Sequence, residues 1–108
     1  MDTIYIMTRE TITKNNIKNK KFQIKIGKSK NIKQRIKQIQ TGYPYKLKYI
    51  FTYPTQYSTI IENKLKTDFK KYKCDGGTEW FEITLKNYYE IIYTIKRIDH
   101  KMFINNTL

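Results

Sequence analysis

A few side chains in this 108-residue sequence are of a type that their neighbourhood does not explain. Arg35 is one of three arginines in a chain that otherwise uses lysine. A guanidinium offers a planar fork of donors and suits bidentate phosphate contact better than a mobile ammonium does. Glu62 is the first carboxylate after Glu10, at the far end of a long basic stretch. An isolated carboxylate beside a phosphate-attracting surface is suited to holding a divalent cation. It is equally suited to a capping box, Thr59-Ile60-Ile61-Glu62, at the start of a helix. Tyr5 and Lys25 fall on matching positions of two alternating segments, where a phenol and an ammonium side by side could touch a phosphate or a water. Tyr5 could also be one of ten tyrosines covering a second apolar layer, and Arg35 a snorkelling surface cation.

The elements that would carry these groups follow from periodicity. Residues 3–8 alternate as a strand, and residues 21–26 alternate with Phe22, Ile24 and Ile26 on one face and Lys21, Gln23 and Lys25 on the other. With Ile4 and Ile6 facing the same core, Tyr5 and Lys25 emerge together on the opposite face. Gly27 ends the second strand. Asn31 is the expected N-cap of a helix from Ile32 to about Gln40, stopped by Thr41-Gly42. At 100° per residue its stripe is Ile32, Ile36 and Ile39; Arg35 borders that stripe, while Lys33 and Lys37 point away. A third strand is expected over 46–53, closed by Pro54. A helix follows over about 59–73 on Ile61, Leu65, Phe69 and Tyr72, with Glu62 at the edge of the buried side. The sequence then reads as a turn at Asp75-Gly76-Gly77, an extended piece over 80–83, a helix over about 85–98 and a fraying tail over 99–108. Residues 10–20 read as a polar loop. The order β-β-α-β-α-β-α predicts one α+β domain over 1–108, a small antiparallel sheet covered by helices.

The charge balance points to a polyanionic partner. Lys and Arg total 22 against 9 Asp and Glu, a net charge of +13. Between Thr11 and Ile61 there is no acid, yet 12 basic residues, among them Lys25, Lys28, Lys30, Lys33, Arg35 and Lys37. Such a one-sign field favours nucleic acid. Ala and Val are absent, as a very AT-rich genome would produce, and that bias accounts for part of the lysine excess. It does not account for the missing acids. No apolar run approaches the roughly 20 residues needed to cross a bilayer, and the N-terminus lacks a signal-peptide pattern. The single cysteine, Cys74, excludes an internal disulfide and suggests a reducing, intracellular setting; with one histidine, His100, it cannot build a zinc finger.

Read together, Thr3-Ile4-Tyr5, Lys25-Ile26-Gly27, the run Gly27 to Arg35, and Glu62 with Leu65 and Phe69 ahead of Gly77-Thr78-Glu79-Trp80-Phe81 resemble the GIY-YIG nuclease superfamily. The likeness is to its small stand-alone viral and phage domains and covers about residues 3–84. It implies a three-stranded antiparallel sheet flanked by helices, and metal-dependent hydrolysis of DNA. By this resemblance Tyr5 would be the general base or water-orienting group, and Glu62 would ligate Mg²⁺ or Mn²⁺. Arg35 would stabilise charge on the attacked phosphate, assisted by Lys28. Lys25 stands where the superfamily has its second-motif tyrosine, which transfers the base role to Tyr5. The other reading is a binding domain that keeps the fold and the charge without catalysis. In either case specificity would come from DNA shape, a separate targeting partner or homodimerisation.

Overall fold

Strand β1 (Asp2–Thr8) is the spine of the domain: from Ile4 to Thr8 every residue is buried, where a strand with one wet face would alternate. The cause is its position. In the computed structural model, which describes residues 1–9, 21–44, 46–74 and 79–107, the sheet runs β3-β1-β2-β4, all antiparallel, with helices against both faces. β2 is Phe22–Ser29, β3 Lys48–Thr55 and β4 Trp80–Ile83. The expected polar loop over 10–20 and the turn at 75–77 lie outside the described residues.

The sheet therefore has four strands, not the three implied by the family resemblance. The extended piece Trp80–Ile83 pairs with the first half of β2, Phe22 opposite Ile83 and Lys25 opposite Trp80. Its side chains Trp80, Phe81 and Ile83 are all buried, so pairing removes from water an apolar segment that a lone extended piece would expose. β3 runs through Pro54 rather than closing before it. As the edge strand it can spare one donor, which is where a sheet tolerates proline.

One face packs a core of Ile4, Ile6, Ile24 and Ile26 against Ile61 and Leu65 of helix α2 (Ser58–Asp68) and Ile91 and Ile95 of helix α3 (Leu85–Thr107). α3 continues to Thr107 instead of fraying after Ile98. Its far half is tied down by Asp99, which accepts hydrogen bonds from Tyr53 (2.9 Å) and Thr55 of β3, and by Asn106, which donates to the Tyr57 hydroxyl (3.0 Å). Its start carries a reciprocal cap: Asn87 accepts from the Thr84 backbone at 3.0 Å, and the Thr84 hydroxyl accepts from the Asn87 backbone at 3.2 Å. α2 ends at Asp68, earlier than the periodicity predicts, and a 3₁₀ turn over Lys70–Tyr72 follows. The tighter turn brings the Tyr72 hydroxyl to Asn87 (3.3 Å) and lets Lys73 bridge to Phe81.

The opposite face carries a smaller cluster of Tyr5, Met7, Leu47 and Trp80, closed by Ile36 and Ile39 of helix α1 (Ile32–Thr41). The expected caps are present: the Asn31 side chain accepts from the Gln34 backbone at 3.1 Å, and Gly42 ends the helix. α1 has no fully buried residue and is pinned at its ends. The Tyr49 hydroxyl donates to the Ile32 carbonyl (2.5 Å), and the Gln40 side chain accepts from the Leu47 backbone (2.8 Å). No helix among the described residues is long and apolar enough to cross a membrane.

Candidate functional site

Antiparallel register sets Tyr5 directly opposite Gly27. The phenol lies flat across that glycine: a Cβ there would sit 2.4 Å from the Tyr5 hydroxyl oxygen and 2.5 Å from Cζ. Gly27 is thus the only residue type that lets the ring occupy this place. Tyr49 packs edge-on against the same ring at 5.3 Å. α1 then lowers Arg35 onto the phenol. The Tyr5 hydroxyl, by hydrogen bond and by charge, holds the Arg35 guanidinium above its already high pKa, against a smaller opposing effect of burial. The Arg35 Nε is buried with no acceptor among the described residues. Tyr5 is only 1% exposed, so this face is the second apolar layer and not an open sheet surface.

On the other face of β2, Lys28 reaches the Thr59 hydroxyl at the start of α2. Glu62 lies three residues further along, on the same strip of the helix. The capping-box reading of Glu62 fails. α2 is preceded by Tyr57, no side chain caps it, and the Thr59 hydroxyl serves Lys28. Glu62 is half-buried and pairs with Lys66 one turn on, at 3.6 Å. Lys30, Lys33 and Lys37 are exposed, Lys33 and Lys37 on the outer side of α1.

Lys25 is not a free surface cation. Its side chain is 14% exposed, and its ammonium meets Glu79 at 2.7 Å. The Lys25 hydrogen bond and charge hold the Glu79 carboxyl below the usual range, and Lys66 and Arg35 add to the effect. Arg35, on the helix covering one face, and Lys66, on the helix covering the other, therefore both act on one carboxylate at the start of β4. They can do so because β4 pairs β2 only as far as Lys25, and no described strand covers the outer edge of β2 beyond it. Tyr5 and Arg35 meet on one side of that open edge; Lys28 and Glu62 share the other. Cavities of about 250 and 460 Å³ flank Glu79. The first is lined by Lys66, Lys70 and Lys73 and the second by Arg9, Lys25, Tyr43 and Trp80; neither touches Tyr5, Arg35 or Glu62.

Two residues at this site escape a reading of the sequence. Glu79 lies within a quoted motif but draws no role there, because its partner Lys25 is remote in the chain. Arg9, as unusual among lysines as Arg35, carries a comparable signal of residue type.

Among the described residues no group of three or more His, Cys, Asp or Glu could hold a metal. A cation here would rest on Glu62, water and substrate phosphate. That donor set fits Mg²⁺ or Mn²⁺, which keep several waters and are often held through one or two carboxylates, and does not fit a zinc cage. Comparison with curated proteins and with solved structures gives no match. A family model described as the T5orf172 domain matches residues 2–98. With nearly the whole described domain inside that match, this chain belongs to the T5orf172 domain family.

Proposed function

We propose that this domain is a metal-dependent DNA endonuclease of the GIY-YIG type, hydrolysing a phosphodiester bond at the open edge of β2. The family is a phage-associated one of nucleic-acid-related type, which supports the substrate class. The observation that carries the reading is the interlock of Tyr5, Gly27 and Arg35, beside a Glu62 that no capping role explains.

In this reading the Arg35 guanidinium, seated on Tyr5, donates to a non-bridging oxygen of the attacked phosphate. Donors fixed in advance where charge develops are worth more than mobile ones. Lys28, held at the mouth of α2 by Thr59, adds positive charge on the other side. The Tyr5 hydroxyl oxygen accepts from Arg35 with one lone pair and would accept from the attacking water with the other, orienting that water toward the phosphorus and drawing on its proton. Glu62 would hold the divalent cation, whose chemistry is to polarise the phosphoryl group and neutralise the leaving oxygen.

A second reading, nucleic-acid binding without cleavage, draws on two observations. Tyr5 is almost fully buried, and Lys25, in the place of the second-motif tyrosine, is engaged by Glu79. A plasmid-nicking assay with Mg²⁺ and with Mn²⁺, beside Glu62→Gln, decides between them. The expected result is metal-dependent nicking by the wild type, with none by a folded Glu62→Gln protein that still binds DNA. Equal nicking by both would remove Glu62 from the mechanism, and no nicking by the wild type would leave the binding reading.

A further inference from the structure

The 460 Å³ cavity beside Glu79 differs from the lysine-lined one on its other side. Tyr43 and Trp80 give it two aromatic walls beside charged and polar ones. Tyr43 and Trp80 lie with ring centroids 5.6 Å apart and tilted by 37°. The Arg9 guanidinium lies over both, 5.8 Å from the Tyr43 centroid and 5.2 Å from that of Trp80. It is held there by hydrogen bonds to the Tyr43 hydroxyl and the Gln23 side-chain oxygen. A guanidinium fixed in its plane over two rings is a composite stacking platform, and bases stack on arginine planes as well as on aromatic rings. The volume falls within the roughly 300–1,000 Å³ of small-ligand sites. The rim carries the Lys25–Glu79 pair, which also borders the candidate catalytic edge.

We infer that this cavity takes an unstacked nucleobase, from a single-stranded or splayed nucleotide next to the phosphate held at the edge of β2. The proposal rests on the nucleic-acid reading above but not on catalysis. Stacking supplies the affinity, with the paired Lys25 and Glu79 heads at the base's polar rim. The net charge of +13 favours a nucleotide over an uncharged aromatic ligand. A duplex keeps its bases stacked and cannot fill the slot without paying to extrude one. The preferred substrate is therefore a branch, flap or loop.

Trp80 is the only tryptophan in the chain, so its emission reports on this cavity without a label. The wild-type protein, in EDTA to prevent cleavage, is titrated with a thymidine oligonucleotide of about eight nucleotides and with an abasic deoxyribose-phosphate strand of equal length. The expected result is a change in Trp80 emission with the base-bearing strand only, and affinity about tenfold or more above that of the abasic strand. Arg9→Lys keeps the charge and loses the plane; it should erase the difference between strands while abasic binding stays unchanged. Tyr43→Leu, with its melting temperature measured, should do the same should Arg9→Lys fail to fold. Equal affinities and equal emission changes for the two strands would overturn the inference and leave the nucleic-acid reading intact. Binding of neither strand at low salt would overturn both. A protein that fails to nick plasmid yet shows the base-dependent signal leaves this inference standing.

Discussion

Substituting Ala for Gly27 tests the packing that seats Tyr5 and Arg35. The new Cβ would meet the Tyr5 hydroxyl oxygen at 2.4 Å, Cζ at 2.5 Å and Cε2 at 3.0 Å, so the ring has to leave. It has little room: Tyr5 is 1% exposed, with Tyr49 against its edge and Arg35 at its hydroxyl. Overpacking of this kind costs about 1–3 kcal/mol. At about 4–8 °C per kcal/mol for a domain near this size, the melting temperature should fall by about 4–24 °C. The clash is with one side chain, so truncating that side chain should relieve it. In a Tyr5→Leu background, Gly27→Ala should cost at least about 1 kcal/mol less than in the wild type. Gly42→Ala is the control: nothing lies within 4 Å of its Cβ position and its φ is −98°, so Ala should be neutral or stabilise by up to about 1 kcal/mol. Thermal melts followed by circular dichroism measure all three quantities. An equal loss from Gly27→Ala in both backgrounds, or no loss in the wild type, refutes the interlock.

The other predictions concern charge. Arg35→Lys keeps the cation but loses the fork seated on Tyr5; nicking should slow by roughly 10²–10³-fold with DNA affinity nearly unchanged, and full activity in a folded variant removes Arg35 from the reaction. Duplex binding should weaken with salt at a slope of about −4 to −5 in log K against log salt if about 4–6 phosphates are neutralised, as titration at several salt concentrations will read; a slope near zero rejects the nucleic-acid reading. The Glu79 carboxyl is held below its ordinary value of 4.5, chiefly by Lys25, so the pair's contribution is present above that pH and lost as pH falls below it. Glu79 is 65% exposed, so the effect should be small and weaker in salt; acid melts of wild type and Glu79→Gln should converge as pH falls, and a constant gap between them contradicts the pairing.

Much of the local structure is legible in the chain. The alternation of Phe22, Ile24 and Ile26 places Lys25 on the face of Tyr5, and Asn31 and Gly42 bound α1 where expected. These signals are short-range, because side-chain direction and capping depend on residues a few positions apart. The reading of Glu62 as a cap shows their limit. Thr59 and Glu62 have the right spacing for a capping box, but Lys28, from another element, engages the Thr59 hydroxyl, and the working box is Thr84 with Asn87. The end of α3 fails for the same reason: a polar tail looks loose until Asp99 and Asn106 find Tyr53, Thr55 and Tyr57.

Periodicity told which side of a strand Tyr5 and Lys25 occupy, and composition pointed toward an anionic partner. Neither could tell what covers that side. The fourth strand, the burial of Tyr5 beneath α1, the contact of its ring with Gly27 and the pairing of Glu79 with Lys25 all depend on strand order and register. Those are set by the sum of many contacts between residues far apart in the chain, and a one-residue change of register would send every one of these side chains to the other face.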